Sequence, residues 1–147
     1  DDFVILLWRN GKKVMKQVEQ MLGRLGLKLH PDKTRVVKAK SGFDFLGVHF
    51  RLCPVRKKNS KLKQSCLIWP SERSMVRIKQ RIREVIGRRY SLSLEELIKK
   101  LTPVIRGWNN YHKATGPVRK RLRKLNGFVR ERLRIFLLMP KDRHMTF

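Results

Sequence analysis

Two adjacent acidic residues, Asp1 and Asp2, open the sequence and directly precede the apolar run FVILLW. Hard divalent cations prefer carboxylate oxygens, so a carboxylate pair at the head of a strand can hold a catalytic Mg²⁺ ion. Two adjacent acids at the start of a strand are, however, more often a solvated chain terminus. Residue types alone favour the terminus and leave the metal site open.

The two cysteines, Cys53 and Cys66, have His49 nearby and raise the question of a zinc site. A zinc site needs a fourth ligand and usually a paired CxxC spacing, and neither is found in the sequence. We therefore expect two reduced cysteines in a hairpin. A disulfide is disfavoured because we expect an intracellular protein.

The charge balance indicates the class of partner. The 147 residues include 37 Lys and Arg against 11 Asp and Glu, a net charge of +26, which repels itself unless a polyanion is bound. Nucleic acid is therefore the expected partner. No run approaches the ~18 apolar residues of a membrane span, and no signal peptide is found, so we expect a cytoplasmic protein, bacterial or organellar, with no membrane partner. Asp instead of Met at position 1 suggests a fragment.

The first 70 residues are predicted to form a small sheet with one helix. Residues 3–8 are typical of a buried strand, and apolar residues from Val14 to Leu25 predict a helix that ends at a left-handed Gly26. Residues 27–36 alternate around a turn at His30. Residues 43–52 alternate strongly, which puts Phe43 and Phe50 on opposite faces of one strand. A polar loop follows, and then a return strand that ends at Pro70.

From residue 71 the apolar period changes to about 3.6, which predicts three helices. Ser71 is a candidate N-cap, and SLEE at residues 93–96 matches a capping box. Pro103 predicts a break or a kink, because Thr102 could cap a new helix there. The third helix is expected to begin at Gly116 and Pro117. The fold class is therefore α+β, with units at 1–70 and 71–147, the second a three-helix bundle.

Basic and amide side chains on the polar faces of these helices are the candidates for RNA binding, because they can neutralise or hydrogen-bond phosphates. They are Arg73, Arg77, Arg81, Arg88, Arg106, Asn109, Asn110, Lys113, Arg119, Lys120, Arg121, Arg123, Lys124, Arg130 and Arg134. Trp108 and Tyr111 continue an apolar stripe, and packing is favoured over base stacking for both.

Four stretches in this order carry a family resemblance: DDFVIL, LGLKLHPDKTRVV, GFDFLGVHF and LTPVIRGWNNYH. Together they resemble the C-terminal half of group II intron reverse transcriptase/maturases. The first three are similar to the end of the polymerase palm, and the last to the maturase-specific region, also called domain X or the thumb. The sequence departs from the family in lacking the aromatic-Ala pair before the aspartates, in His30 where Asn is usual, and in lacking a zinc-binding or HNH segment.

The resemblance implies roles for particular residues. It implies a palm-type antiparallel sheet followed by a thumb bundle, with Asp1 and Asp2 as Mg²⁺ ligands. Lys33 corresponds to a lysine near the nucleotide phosphates, although a solvated turn lysine is an equally good interpretation. Phe45, Leu46 and Gly47 match a hairpin near the primer strand.

The resemblance also implies partners and an activity. The expected partner is group II intron RNA, whose splicing the chain would assist. The parent protein would be an RNA-directed DNA polymerase acting on a DNA primer or target in intron mobility. The isolated chain is expected not to polymerise, because the upstream aspartate and the fingers are missing, and to have no small-molecule substrate.

Two other functions are open at this point. The chain could be a non-catalytic basic RNA-binding structural protein, such as a ribosome-associated factor, in which Asp1 and Asp2 carry no chemistry. It could also be a fragment of another prokaryotic reverse transcriptase, such as a retron or diversity-generating enzyme. That class is disfavoured because its members generally lack the RGWNNY helix.

Overall fold

The computed structural model describes residues 2–9, 11–55, 63–87, 92–113 and 118–138. Its elements in chain order are α1 (Gly11–Arg24), β1 (Phe43–Phe45), β2 (Val48–Val55), β3 (Lys63–Pro70), α2 (Glu72–Ile86), α3 (Leu94–His112) and α4 (Val118–Leu138). The three strands form one antiparallel sheet in the order β1-β2-β3. The predicted α+β class, with a small sheet followed by a helical bundle, is confirmed.

Strands β1 and β2 form a tight hairpin. Leu46 and Gly47 join them with φ angles of 46° and 76°, the left-handed geometry that two-residue hairpin turns require. Phe43 pairs with Phe50, and their rings stack with centroids 5.4 Å apart. The prediction of one strand with Phe43 and Phe50 on opposite faces is therefore wrong. A two-residue turn preserves the alternation along the sequence while it reverses the chain, so the periodicity alone cannot detect it.

The return strand β3 is confirmed and pairs with β2 from Val48–Pro70 to Val55–Lys63. Cys66 lies opposite Leu52, and Cys53 lies opposite Ser65. Directly opposite residues share a face and successive residues alternate, so the two cysteines point to opposite sides of the sheet. Both thiols are free, as expected, and this geometry permits neither a disulfide nor a shared metal ion between them. The predicted polar loop falls mostly on residues outside the described part.

Two predicted strands are wrong. Residues 3–8 and 27–36 form no strand, and Trp8 at the end of the first run is 95% exposed. An apolar run becomes a buried strand only when neighbouring strands accept its hydrogen bonds, and none of the described strands pairs with either segment. The turn predicted at His30 is confirmed, because the amides of Lys33 and Thr34 donate to its carbonyl oxygen over 3.2 and 3.0 Å.

Helix α1 ends as predicted. Gly26 has a φ of 71°, and the Leu27 amide donates to the Leu22 carbonyl oxygen over 2.9 Å, a bond typical of a left-handed C-terminal cap. No residue of α1 is buried, so the helix lies on the surface of the described fold.

The main core belongs to helices α2, α3 and α4. Its buried apolar residues are Met75, Ile78, Ile82, Ile86, Leu97, Leu101, Leu125 and Phe136. Full burial of such a side chain contributes about 1.5–3 kcal/mol. The three-helix bundle is confirmed. The predicted inward stripes are confirmed except on α3, where Leu94, Ile98 and Tyr111 belong to the predicted stripe but are exposed.

Both predicted N-caps are confirmed. The Ser71 hydroxyl accepts from the Ser74 amide over 3.1 Å, which caps α2. Ser93 and Glu96 form the reciprocal capping box of α3, with bonds of 2.9 and 3.2 Å. Each cap satisfies helix amides that have no partner within the helix.

Of the break or kink predicted at Pro103, the break is wrong, because α3 runs through this residue from Leu94 to His112. The kink stays a prediction. The Thr102 hydroxyl does not cap a new helix and donates instead to the Ile98 carbonyl oxygen over 2.7 Å. Leu101 is buried, and Val104 and Ile105 pack on the core. Burial on both sides of Pro103 offsets the ~3 kcal/mol that an internal proline costs.

The boundary between units at residue 70 stays a prediction, although β3 ends there and α2 follows directly. The predicted start of the third helix, at Gly116 and Pro117, lies outside the described residues. None of the described helices is both long and apolar enough to cross a membrane.

Candidate nucleic-acid interface

Helix α2 carries a row of exposed arginines. Arg73, Arg77 and Arg81 are four residues apart and therefore follow one side of the helix, away from the buried Ile78 and Ile82. Arg81 pairs with Glu84 over 3.1 Å, while Arg73 and Arg77 have no carboxylate partner among the described residues. This row can therefore meet an external anion.

Helix α4 carries a second basic face. Its members are exposed and lie on the side away from the buried Leu125 and Phe136: Lys120, Arg123, Lys124, Arg130 and Arg134. Within the described part of the chain, only Arg134 of this set approaches a carboxylate, that of Glu131 at 4.0 Å. Most of the positive charge on this face is therefore uncompensated.

Arg121 differs from the other cations of α4. Its side chain is only 19% exposed and pairs with Glu72 in the first turn of α2, and this hydrogen bond holds the pKa of the Glu72 carboxyl below its ordinary value. In the described structure, Arg121 thus joins two helices, and its predicted role in RNA binding stays a prediction. No sequence pattern indicates this pairing, because Glu72 and Arg121 are distant in the chain.

Two cations of α2 also contact α4. Lys79 and Arg83 lie over the Phe128 ring at 5.5 and 5.1 Å from its centroid. Such cation–π contacts contribute about 0.5–1 kcal/mol at exposed sites. Part of the basic content of the bundle therefore stabilises the packing of its helices.

The outer side of α3 carries a third group of cations. Lys99, Arg106 and Lys113 are spaced by seven residues and so lie on one side, opposite the core. Asn110 is exposed beside them, and Asn109 is half-buried. The outer surface of α3 also includes further exposed residues, namely Ile98, Thr102, Pro103 and Gly107.

The C-terminal part of α3 contacts α2 through Trp108, which is half-buried, and His112, which is buried; the neighbouring Tyr111 is 58% exposed. We call this group of contacts, centred on Ser74, the joint. The Trp108 indole donates to the Ser74 hydroxyl oxygen over 3.0 Å, and His112 Nε2 lies 2.9 Å from the same oxygen. The Trp108 and Tyr111 rings contact the His112 ring at centroid distances of 4.6 and 4.8 Å. The interpretation of Trp108 and Tyr111 as packing residues agrees with these contacts.

The joint extends to the hairpin turn. The Tyr111 hydroxyl donates to the Leu46 carbonyl oxygen over 2.6 Å, and the Ser71 amide donates to the Gly47 carbonyl oxygen over 3.0 Å. The Leu46 side chain remains 61% exposed, and Phe45 is half-buried. Two of the three residues predicted to lie near a primer are thus held to the helices by their main chain.

His112 is a buried polar residue of the contact between α2 and α3 that the sequence analysis did not single out. It is 1% exposed, and burial lowers the pKa of its imidazole below the ordinary value of 6.5. Its position four residues after Trp108, on the same helix side, was the available signal.

The predicted catalytic residues are not assembled into a site within the described part. Asp1 lies outside the described residues. So do two of the predicted RNA-binding residues, namely Arg88 and the side chain of Arg119. Asp2 and Lys33 are exposed. No group of three or more His, Cys, Asp or Glu side chains that could hold a metal ion occurs among the residues that the structure describes. The described residues alone therefore do not supply the carboxylate ligands that a two-metal centre needs.

Comparison with known proteins identifies similar sequences. Residues 75–142 match the family model described as "Group II intron, maturase-specific domain". The chain is 30% identical over 104 residues to "Maturase-like protein 1" of Euglena gracilis, a match that covers 71% of this chain and 21% of that protein. The protein of the same name from Euglena longa is 27% identical over 106 residues, with the same coverage. The chain thus spans about a fifth of the length of these relatives.

Proposed function

Residues 75–142 belong to the maturase-specific domain family of group II introns, and on this premise we propose that the helical unit binds intron RNA and assists its splicing. The observation that carries the proposal is the set of exposed cations without carboxylate partners in the described structure, among them Arg73 and Arg77 on α2 and Lys120, Arg123 and Lys124 on α4. Such a set repels itself in the free protein and is neutralised by a polyanion.

The bundle offers these cations on a rigid support. The core residues of α2, α3 and α4 fix the helices, while Arg121 with Glu72 and the cations over Phe128 join α2 to α4. A rigid basic surface can neutralise phosphates of RNA segments that would otherwise repel each other. This is the physical basis on which we propose that the unit favours the folded, splicing-competent RNA.

The binding part of the proposal is tested by a charge-matched pair of variants. In the first, Lys120, Arg123 and Lys124 of α4 are replaced by Gln; in the second, the exposed Lys12, Lys13 and Lys16 of α1 are replaced by Gln. Both lose the same formal charge. Affinity for intron RNA is measured as a function of salt for each variant and for the unmodified chain.

The α4 variant should bind about tenfold or more weakly, and its dependence of log K on log salt should flatten by about 2, because each phosphate contact contributes about 0.7–0.9 to the slope. The α1 variant should stay within about threefold of the unmodified chain. Equal losses in both variants would mean that only net charge matters, and would contradict a binding face on α4.

The splicing part is tested with precursor RNA at Mg²⁺ concentrations at which the RNA alone folds incompletely. The 147-residue chain should increase the rate at which spliced product appears, and the α4 variant should lose this effect while the α1 variant keeps it. A chain that binds the precursor without changing the rate would refute splicing assistance and leave RNA binding intact.

Polymerase chemistry is proposed only for a longer parent protein. There, Asp1 and Asp2 would contribute to Mg²⁺ binding, and a DNA primer or target would be a further partner. The ion would stabilise the developing charge on the attacking and leaving oxygens. The described residues supply too few ligands for this centre, so we expect no primer extension on an RNA template by the purified chain. Measurable extension would contradict that expectation.

A further inference from the structure

Helices α2 and α4 meet along a surface that we call the α2–α4 seam, formed by Lys79 and Arg83 of α2 and by Lys124 and Phe128 of α4. The Lys79 ammonium lies 5.5 Å and the Arg83 guanidinium 5.1 Å from the centroid of the Phe128 ring. Arg83 is exposed and Lys79 is half-buried, so both cations can be reached from solvent. The seam therefore brings two positive charges of one helix to a single neutral ring of another.

The positive charges of the seam are not compensated within the described structure. Neither Lys79 nor Arg83 pairs with a carboxylate of the described residues. The carboxylates of α2 and α4 have other partners: Glu72 pairs with Arg121, Glu84 with Arg81, and Glu131 approaches Arg134. Two cations held beside an uncharged ring repel each other, and an anion bound between them removes this repulsion.

Lys124 adds a third positive charge to the seam. It lies four residues before Phe128, on the same side of α4. The hydrogen bond from Arg121 is the main cause of the lowered pKa of the Glu72 carboxyl, and the charges of Lys124 and Lys79 lower this pKa further. Lys79 and Lys124 thus act on the same point in the first turn of α2. The packing of two helices, and not the spacing along one of them, brings these cations together.

The contact with the ring leaves the hydrogen-bond donors of both α2 cations available. A phenyl ring attracts a cation through its π-electrons and accepts no conventional hydrogen bond. Residues four apart on a helix have Cβ atoms about 5–6 Å apart, so the side chains of Lys79 and Arg83 can reach one and the same phosphate. The ring also restricts both side chains before a ligand arrives, which lowers the entropy that binding must remove.

We propose that the α2–α4 seam binds one phosphodiester group of RNA, with Lys79 and Arg83 as the shared donors and Lys124 as the neighbouring charge. The inference rests on the proposed RNA binding and assigns one contact within it, at two cations that the sequence analysis did not select. A guanidinium presents its N–H groups in a planar fork that matches the oxygens of a phosphate. Contacts to phosphates fix the position of the RNA and carry no base preference.

The test compares two charge-matched double variants of the 147-residue chain. Lys79→Gln with Arg83→Gln removes the donors of the seam, and Lys16→Gln with Arg24→Gln removes one exposed Lys and one exposed Arg from α1. Circular dichroism melting confirms that each variant is folded. Affinity for a labelled RNA hairpin is measured as a function of salt for both variants, for the two single seam variants and for the unmodified chain.

The double seam variant should bind about fivefold more weakly, and its dependence of log K on log salt should flatten by about 0.7–0.9, the value for one phosphate contact. Each single seam variant should lose nearly as much as the double variant, because the two donors share one phosphate and their effects do not add. The α1 variant should stay within about twofold of the unmodified chain.

A pair of variants that keep every charge tests the part played by the ring. Phe128→Leu should weaken binding about twofold to threefold with the salt slope unchanged, because the cations remain but are less ordered. Phe50→Leu is the control: it removes a half-buried ring of the sheet over which no cation of the described residues lies, and should leave the affinity unchanged.

Three results would refute the phosphate contact at the seam: equal losses in the seam and α1 variants, single effects that multiply in the double variant, or equal affinities of Phe128→Leu and Phe50→Leu. Salt-dependent binding by the unmodified chain would still support the proposed function in each of these cases. Absence of salt-dependent binding by the unmodified chain would refute the proposed function itself, and the seam contact with it.

Discussion

The hydroxyl of Tyr111 in α3 donates a hydrogen bond of 2.6 Å to the main-chain carbonyl oxygen of Leu46, 65 positions earlier in the chain. Leu46 is the only non-glycine residue with positive φ in the described structure, a conformation that costs about 1–2 kcal/mol. The Ser71 amide donates a second hydrogen bond, to the Gly47 carbonyl oxygen. The two bonds hold the hairpin turn against the N-terminal end of α2 and the C-terminal end of α3. The orientation of the sheet on the bundle therefore depends on a few polar contacts.

Tyr111→Phe should lower the free energy of unfolding by about 0.5–1.5 kcal/mol, because the ring packing remains and only the bond to Leu46 is lost. Urea denaturation measures the change. Thr102→Val is the control: it removes a hydroxyl bond within α3 that joins no other element, and should cost no more than about 0.5 kcal/mol. A Tyr111→Phe protein as stable as the unmodified chain would show that the bond does not secure the turn.

Ser74→Ala should cost about 1–3 kcal/mol, because the indole N–H of Trp108 loses its acceptor in a part-buried position. The same change removes the contact between Ser74 and His112. Ser65→Ala on the exposed part of β3 is the matched control, with an expected effect within about 0.5 kcal/mol. Equal denaturation midpoints for the two variants would show that the contacts of the Ser74 hydroxyl with Trp108 and His112 do not stabilise the fold.

Stability should decrease as the pH falls below about 6.5. Burial lowers the pKa of His112, so below this pH the unfolded chain takes up a proton that the folded chain does not, and unfolding becomes easier until the pH reaches the lower folded pKa. Around the ring lie Ser74, Trp108 and Tyr111.

Unfolding free energies of the unmodified chain at pH of about 7.5 and about 5.5 should therefore differ more than those of His112→Gln. His30→Gln, at an exposed histidine, should keep the pH dependence of the unmodified chain. The same pH dependence in His112→Gln and the unmodified chain would contradict a buried neutral imidazole at this position.

Two glycine substitutions should have opposite signs. Gly42 has a φ of +82°, and an added Cβ would collide with the His49 ring and lie 3.1 Å from the Phe50 carbonyl oxygen. Gly42→Ala should therefore destabilise the fold by about 1–3 kcal/mol. Gly127→Ala, in open space on α4, should stabilise it by about 0.5–1 kcal/mol. Thermal melting checks both signs, and a neutral Gly42→Ala would contradict the hairpin geometry.

The helical half was more predictable than the sheet because its signals are local. Each cap and each apolar stripe lies within one turn or one helix. The caps at Ser71 and Ser93 were confirmed, and so were the stripes apart from the exposed positions of α3. The periodicity did not separate β1 from β2, because alternation continues through a two-residue turn; only the family resemblance indicated a hairpin at Phe45, Leu46 and Gly47. Helix α3 continues through Pro103 because residues on both sides of it pack on the core. Helix propensity describes single residues and cannot predict this packing.

The sequence predicted which cations lie on the polar faces of the helices. It did not predict which of them form contacts within the protein. The exposed rows on α2 and α4 follow from helical spacing. The engagement of Arg121 with Glu72, and of Tyr111 with Leu46, requires contacts between residues far apart in sequence. Such contacts cannot be derived from periodicity, and the pairing of Arg121 with Glu72 decides which cations lack a carboxylate partner among the described residues.

The central claim, that this maturase segment binds group II intron RNA, is tested most directly by competition. Labelled intron RNA bound to the 147-residue chain is displaced by unlabelled intron RNA or by an unrelated duplex of equal length, at about 0.15 M salt. We predict that the duplex competes at least about tenfold less well, since shape and unpaired nucleotides add to the phosphate contacts that both RNAs share. Equal competition by the two RNAs would contradict the claim and identify a general basic RNA-binding protein.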